Sequence, residues 1–369
     1  MAILLEKRVH LPHELIIEIL LRLPVKTLLR CKCVCKTWLS LISNPDFATR
    51  HFQLAASPTD RLVVITHNYP CKFLSIDFDA PLNHPSAYAS LNFDFLTRGC
   101  AEIGGSCRGF LFLHISTDFY IWNPSTGFHK QIPASPITIH GSSMSMWDFS
   151  MFMYGFGYDS LRDDYLVVFG YYLHSDSSSI DFEIFSLRDN KWKLIPGDSL
   201  LPYASSGLCF EVGLFLNGAL YWHVVNHEIS KDVIIAFDLE EMVITEIRLP
   251  DEFCHPIDHN LMVFGGLIGV WFREMDTFSL WVMQDNEGHS SWTKTLVFDI
   301  LPALWFCPVC LTNCGDIVGT NNSDRLVKIN NKGQLLEEHR SDHICYSYRS
   351  QMVVYTESLF SLPGDTEQA

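Results

Sequence analysis

The segment from His10 to Phe52 reads HLPHELIIEILLRLPVKTLLRCKCVCKTWLSLISNPDFATRHF. Pro12 suits the first turn of a helix, and Pro24 ends that helix. Between the two prolines, charged side chains recur every fourth residue and form one narrow ridge. Leu and Ile occupy almost all the other positions, so apolar side chains cover most of the helix circumference. A helix of this kind needs more than one neighbour to cover it.

The same segment predicts two further helices after Pro24, the second of which carries Trp38. Asn44-Pro45 is the pattern of a helix N-cap followed by proline at the first helical position, and it predicts a short helix after these. A module of roughly forty residues cannot bury this many large side chains by itself. The sequence therefore predicts contiguous exposed apolar surface, which is typical of a protein–protein interface.

The order of these residues resembles the F-box, the Skp1-binding motif of cullin-type ubiquitin ligases, in the form common in plants. The match is long and ordered, and it extends from Leu11 to Trp38. The resemblance implies that a Skp1-like protein is bound by Leu11, Pro12, Leu15, Ile16, Ile19, Leu20, Leu23, Pro24, Val25, Leu28, Leu29, Val34, Cys35 and Trp38. The alternative is an ordinary N-terminal helical subdomain that packs on the rest of the chain.

The charge of the chain divides it into two parts. Of its 369 residues, 48% are hydrophobic and 18% are charged, which excludes disorder for most of the length. Residues 1–55 carry a net charge of +4, and the rest of the chain carries −20. Such an excess of acid disfavours a nucleic-acid binder, because phosphate contacts need a basic surface. The opposite signs suggest two modules with different partners.

The sequence shows no membrane span and no secretion signal. The most apolar run, Leu261–Phe272, has 12 residues and contains three glycines, so it is too short to cross a bilayer. The twelve cysteines are scattered without a tight framework, which suits a reducing compartment. We therefore expect a cytoplasmic and/or nuclear protein with no membrane partner.

From about residue 60, short runs rich in Val, Ile, Phe, Tyr and Trp alternate with turn-forming residues, which is typical of an all-β domain. An apolar strand followed by a polar turn recurs in Ile121–Pro133, Glu183–Pro196, Ile234–Pro250, Leu280–Phe298 and Leu326–His339. The equivalent slot holds Trp122, Phe185, Phe237, Trp281 and Ile329. A glycine that opens a hydrophobic strand usually precedes each copy. Two strand pairs in about fifty residues predict the blade of a β-propeller.

Unassigned strands remain at the two ends of this region, in Leu62–Asp79 and Met352–Leu362. We expect them to pair with each other, because the pairing makes a sixth blade and removes exposed strand edges. The predicted fold is thus a multidomain α+β protein, in which a three-helix module precedes an all-β, six-bladed-like propeller. A β-sandwich is the alternative, because the spacing of the repeats is irregular.

Several stretches of the β region resemble the F-box-associated interaction domain (type 1, kelch-like) of plant F-box proteins, including the S-locus F-box proteins. The stretches are YGFGYDSLRDDYLVV (Tyr154–Val168), IWNPSTG (Ile121–Gly127), FLNGALYWHV (Phe215–Val224) and VVYTESLFSL (Val353–Leu362). The resemblance implies an F-box domain at 8–53, a substrate-recognition domain at 60–363 and a disordered tail at 364–369.

The resemblance implies a function without catalysis. The chain would bind Skp1, and through it a cullin, and would recruit an unknown target protein for ubiquitination. Two alternatives remain open. One is an S-locus F-box protein that targets the ribonucleases of the style, and the other is a β-propeller hydrolase.

No catalytic, cofactor-binding or metal-binding residue is predicted. A zinc site would draw on Cys307, Cys310, Cys314, His339, His343 and Cys345, but 28 residues separate its Cys-x2-Cys and His-x3-His pairs. Cys31, Cys33 and Cys35 are predicted to be small buried thiols. Gly155-Phe156-Gly157 is predicted to lie in a turn before a strand, where it would not hold phosphate.

Overall fold

The computed structural model describes residues 11–54, 60–66, 72–93, 101–116, 118–135, 153–171, 180–195, 203–205, 211–250, 252–253, 258–286, 289–299, 306–321, 325–340 and 352–362. The first of these ranges holds the helices α1 (His13–Leu20), α2 (Val25–Cys31), α3 (Lys36–Ile42) and α4 (Pro45–Leu54). The predicted tail, 364–369, and the first residues of the predicted 8–53 domain lie outside the described residues.

The helix boundaries follow from local sequence signals. Pro12 and Pro24 occupy the N-cap positions of α1 and α2. The side chain of Asn44 accepts a hydrogen bond from the backbone N–H of Asp46 (2.7 Å), and Pro45 is the first residue of α4. The helix start predicted at Asn44-Pro45 is confirmed. The module therefore has four helices in the described residues rather than three.

In the described residues the β region forms six sheets, each a blade of the propeller, and their strands pair antiparallel except for one two-residue strand. Blade 1 contains β1 (Asp60–Thr66), β2 (Lys72–Ile76) and β3 (Tyr88–Leu91). Blade 2 contains β4 (Ala101–Cys107), β5 (Phe110–Ile115), β6 (Asp118–Trp122) and β7 (His129–Ile132). Blade 3 contains β8 (Met153–Asp159), β9 (Asp164–Tyr171), β10 (Asp181–Ser186) and β11 (Lys191–Ile195).

The remaining blades follow in chain order. Blade 4 contains β12 (Tyr203–Ser205), β14 (Leu214–Leu216), β15 (Ala219–Asn226), β16 (Lys231–Asp238) and β17 (Ile244–Arg248). The two-residue strand β13 (Glu211–Val212) instead pairs in parallel with β8 of blade 3. Blade 5 contains β18 (Asp258–Phe264), β19 (Leu267–Glu274), β20 (Thr277–Asn286) and β21 (His289–Asp299). Blade 6 contains β22 (Phe306–Leu311), β23 (Ile317–Asn321), β24 (Arg325–Ile329) and β25 (Leu335–Arg340).

The last strand closes the ring. β26 (Met352–Thr356) pairs with β1, in a register that runs from Asp60 opposite Thr356 to Val64 opposite Met352. Blade 1 is therefore built from both ends of the β region, and the predicted sixth blade is confirmed. The propeller prediction is correct, and the β-sandwich alternative is wrong. Closure satisfies the backbone of β1, which would otherwise be an unpaired edge.

The repeat read from the sequence corresponds to the blades. The five residues assigned to the equivalent slot lie on the third strand of blades 2 to 6, and all are buried: Trp122, Phe185, Phe237, Trp281 and Ile329. The turn predicted at Gly155-Phe156-Gly157 is wrong, since all three residues lie within β8. β8 is the inner strand of blade 3, and Gly155 faces Leu220 and Trp222 of blade 4. No helix among the described residues is long and apolar enough to cross a bilayer.

Candidate partner-binding surface of the helical module

The helices pack on one end of the propeller. The ring of Phe52 in α4 lies 5.1 Å from the ring of Phe360, which follows β26. The guanidinium of Arg108, in the turn after β4, lies 5.9 Å from the same Phe52 ring. β4 and β26 both end there, so the helices cover the end of the ring at which the inner strands terminate. This contact uses one face of the helical module and leaves another to solvent.

An apolar stripe runs along the exposed side of α1. Leu15 and Ile19 are four residues apart in α1, so they lie on one face of the helix, and Leu11 comes just before the N-cap Pro12. Their exposed fractions are 49%, 51% and 52%. Val34, between α2 and α3, is more exposed still, and Pro12, Pro24 and Cys35 are exposed as well. Half of the predicted Skp1-binding residues are thus available to a partner.

A second group of predicted residues is half-buried. Ile16, Leu23, Leu29 and Trp38 pack against the hydrophobic cluster that joins the helices to the propeller, yet each keeps part of its surface exposed. One part of each side chain anchors the helical module to the propeller, and the other part borders the exposed apolar surface. Their role in Skp1 binding stays a prediction.

The remaining three predicted residues belong to the core of the chain itself. Leu20, Val25 and Leu28 are at most 1% exposed and lie in the cluster shared with Phe110 and Leu359 of the propeller. Because successive helix residues are about 100° apart, Ile19 faces solvent while Leu20 faces the propeller. In contrast to the sequence expectation, these three side chains support the exposed face from beneath and do not form part of it.

The sequence prediction missed two exposed apolar residues. Leu39 in α3 and Leu54 at the end of α4 are 41% and 54% exposed. Neither lies at a position that the motif marks, and nothing in the local pattern separates them from buried leucines. Only the packing of the helices shows that they extend the exposed apolar surface.

Polar contacts orient the helices around this surface. The side chain of His51 in α4 lies 2.8 Å from the carbonyl oxygen of Leu23, which ties α4 to the end of α1. Arg50 and Glu18 form an ion pair of 3.3 Å whose side chains are half-exposed, so it adds little stability. Lys32 follows α2, and burial lowers the pKa of its ammonium group.

The three clustered cysteines are not uniformly buried. α2 ends at Cys31, which is partly exposed, and Cys33 and Cys35 are exposed. The prediction of small buried thiols is therefore wrong for the last two. The cause is the end of the helix: beyond it the chain turns toward α3 at the outer side of the module.

The candidate zinc ligands are divided between the two sides of blade 6. Cys307 and Cys310 lie on β22, the inner strand, whereas His339 lies on β25, the outer strand. Two further strands separate β22 from β25, and adjacent strands are about 4.8 Å apart. His343 and Cys345 lie outside the described residues. Within the described ranges, no group of three or more His, Cys, Asp or Glu side chains could hold a metal ion.

The opposite end of the propeller is free of the helices. In each blade the inner strand begins at that end, and the turn between the second and third strands lies there. Among the turns that the structure describes in full, two expose apolar side chains, Ile229 between β15 and β16 and Met275 between β19 and β20. Met275 is 83% exposed. The two ends of the ring therefore present separate surfaces.

Both parts of the chain match known families. Residues 9–50 match the F-box domain, and residues 62–332 match the F-box associated beta propeller domain. The second match covers most of the chain and spans parts of all six blades.

Curated relatives come from Arabidopsis thaliana. An F-box/kelch-repeat protein is 29% identical over 317 residues, which is 80% of this chain and 82% of the relative. The F-box protein CPR1 is 28% identical over 77% of this chain and 72% of its own length. Among solved structures, a hypothetical selenium-binding protein from Sulfolobus tokodaii is 12% identical, with a TM-score of 0.43 over 82% of this chain and 78% of that one.

Proposed function

This chain belongs to the F-box proteins that carry an F-box-associated β-propeller domain, and on that basis we propose that it is the substrate-recognition subunit of an SCF-type ubiquitin ligase. Its helices bind a Skp1-like protein, and Skp1 connects it to a cullin. Its propeller binds a target protein. We expect it to work without a catalytic step of its own, in the cytoplasm and/or the nucleus.

The observation that carries this proposal is the exposed apolar stripe Leu11, Leu15 and Ile19, together with Val34. These side chains remain exposed although the helices already pack on the propeller. Burying a large aliphatic side chain contributes about 1.5–3 kcal/mol, so four of them can hold a stable complex. Exposed apolar surface of this kind fits a permanent partner.

The target is proposed to bind at the end of the propeller opposite the helices. That end keeps its turns accessible when Skp1 occupies the helical module. The chain beyond residue 55 carries a net charge of −20, and opposite potentials speed encounter, so a basic target is favoured. Such a target is held beside the ubiquitin-loaded conjugating enzyme, and this raises the effective concentration of its lysines there.

The same charge keeps one specialised role open. A basic ribonuclease of the style would suit this acidic surface, as in the S-locus F-box proteins. Expression restricted to pollen and direct binding of a stylar ribonuclease would support that role. Expression in vegetative tissue, without ribonuclease binding, would favour a general adaptor instead.

Capture of the full-length chain on a Skp1-like protein tests the proposal. Ile19→Asp places a carboxylate on the exposed face, where docking would desolvate it. We expect the affinity to fall at least tenfold while the melting temperature stays near that of the wild type. The matched control is Leu161→Asp, which makes the same change at a 75% exposed leucine in the turn between β8 and β9.

The choice of position matters for this test. Leu20→Asp would place the charge in the core shared with the propeller, so a loss of binding by that variant would report unfolding. If the Ile19→Asp chain binds Skp1 as tightly as the Leu161→Asp chain, the helical face is not the docking surface. The adaptor function would then lose its structural support.

A further inference from the structure

The residues after the last strand form a buried connection between the propeller and the helices. β26 ends at Thr356, and residues 357–362, here called the clasp segment, leave the sheet without regular secondary structure. Ser358, Leu359, Phe360 and Leu362 are nevertheless buried. Irregular backbone is seldom buried, because its polar groups need partners. The contacts of the clasp segment show how this one is held.

Asn123 supplies those partners from the turn between β6 and β7. Its side-chain NH₂ donates to the carbonyl oxygen of Ser358 (3.3 Å), to the Ser358 hydroxyl (3.2 Å) and to the carbonyl oxygen of Phe360 (3.2 Å). Its side-chain oxygen accepts from the backbone N–H of Ser125 (2.9 Å), which fixes the orientation of the amide. Asn123 is completely buried, so these bonds are protected from water.

The side chain of Phe360 carries the connection to the helices. Its ring lies 5.1 Å from that of Phe52 in α4. The guanidinium of Arg108 lies 4.6 Å from the Phe360 ring, 5.9 Å from the Phe52 ring and 3.8 Å from the ring of Tyr158 at the end of β8. One cation thus contacts rings from the helices, from the clasp segment and from blade 3.

The rest of the clasp segment extends this contact. Leu359 and Leu362 lie in the same hydrophobic cluster as Leu21 and Phe47 of the helical module. Glu357 lies 3.9 Å from Arg61 of β1. Burial raises the pKa of the Glu357 carboxyl, and the positive charges of Arg61 and of Lys26 in α2 oppose that rise. The clasp segment therefore shares a hydrophobic cluster with residues of α4 and with Leu21, which follows α1.

We propose that the clasp segment fixes the orientation of the F-box helices on the propeller, so that the Skp1-binding face and the opposite end of the ring are held at one separation. The importance of this fixed separation for a ubiquitin ligase rests on the proposed function. If the target is held at a fixed distance from the ubiquitin-conjugating enzyme, the effective concentration of its lysines at that enzyme is higher than if the connection were flexible.

The test measures the separation directly in the full-length chain. Donor and acceptor dyes are introduced on unnatural amino acids at Leu39 in α3 and at Met275 on the opposite end, both exposed positions. For the wild type, single-molecule energy transfer should give one narrow distribution of transfer efficiencies, which corresponds to one distance between the dyes. Phe360→Ala, which removes the ring between α4 and Arg108, should broaden that distribution and shift it. Phe52→Ala removes the ring of α4 that contacts Phe360, and it should also broaden and shift the distribution.

Phe298→Ala is the matched control. It deletes a buried phenyl ring from blade 5, where the ring stacks on Phe278 at 4.7 Å, away from the helices. The control should lower the melting temperature but leave the distribution narrow. A narrow distribution in both Phe360→Ala and Phe52→Ala, or equal broadening in Phe298→Ala, would overturn the proposal. Skp1 capture is measured separately: a wild-type chain that fails to bind Skp1 yet shows the clasp effect refutes the adaptor function alone.

Discussion

At the residue scale, the lack of a side chain at one glycine allows two distant segments of the chain to pack closely together. Gly109 follows Arg108 in the turn between β4 and β5, and both have positive φ, +85° and +47°. A β-carbon at Gly109 would collide with the side chain of Ser358 and the carbonyl oxygen of Thr356. The turn therefore needs glycine both for its backbone angle and for the passage of the clasp segment.

Gly109→Ala should be markedly more destabilising than Gly127→Ala. Both glycines have positive φ, so each alanine adds about 1 kcal/mol of backbone strain. A β-carbon at Gly127 meets nothing within 4 Å, whereas at Gly109 the clasp segment must move, which costs roughly a further 1–3 kcal/mol. Free energies of unfolding from denaturant titration measure both. Equal losses would show that the clasp segment does not press on this turn.

A buried histidine between blades 4 and 5 should make stability depend on pH. Burial, and then the charge of His259, lower the pKa of His223 from 6.5 to about 3. Below pH 6.5 this histidine is therefore protonated in the unfolded chain but stays neutral in the folded chain. Stability is lost as the pH falls, by about 2–3 kcal/mol between pH 6.5 and about pH 4.5.

Replacing this histidine isolates its contribution. His223 lies 3.1 Å from His259 and 3.4 Å from Asp232, and both of these neighbours remain in His223→Asn. The free energy of unfolding of His223→Asn should change less steeply across this pH range than that of the wild type. The same slope in both proteins would mean that His223 is protonated in the folded state.

At the element scale, α1 shows why a helix pattern predicts contact without predicting the contact partner. Its apolar residues cover most of the circumference, and the structure divides them between two neighbours. Leu20 and Leu21 face the propeller, while Leu15 and Ile19 face solvent. The pattern of α1 predicts a helix, but it does not show that Leu20 lies in the core shared with the propeller, because the position of the propeller is not encoded in the helix.

Inner strand β8 gives a second example at this scale. Glycines at alternate positions suggested a turn, but they allow blade 4 to approach the strand closely. By contrast, the hairpins of the outer strands were recognised correctly, because their turn residues and strand alternation are local. Elements with local signals were predicted well, and elements shaped by a neighbouring blade were not.

At the scale of the whole molecule, the ring depends on β26. Its pairing with β1 joins residues almost 300 positions apart, such as Asp60 and Thr356, whose side chains also share a hydrogen bond of 2.6 Å. Closure covers the edge of β1 and makes β26 the inner strand of blade 1. The propeller is thus a cooperative unit in which the last strand completes the first blade.

Truncation should reveal this dependence. A chain that ends before Met352 lacks β26 and exposes the edge of β1, so we expect aggregation and the loss of a cooperative melting transition. A chain that ends after Leu362 keeps both β26 and the clasp segment and should melt close to the full-length protein. Size-exclusion chromatography and calorimetry compare the two. A monomeric, cooperatively melting chain without β26 would contradict the role of closure.

The helical module, the blade repeat and the family could be predicted from the sequence, because caps, alternation and repeat spacing are written in neighbouring residues. Closure of the ring could be predicted because the repeat left unassigned strands at its two ends. Two features became visible only in the folded chain: which apolar residues of α1 stay exposed for a partner, and the contact of Asn123 with Ser358, 235 positions away. These features depend on burial, and burial depends on what lies opposite a side chain. In this fold the opposite surface comes from distant parts of the chain, whose arrangement no local pattern specifies.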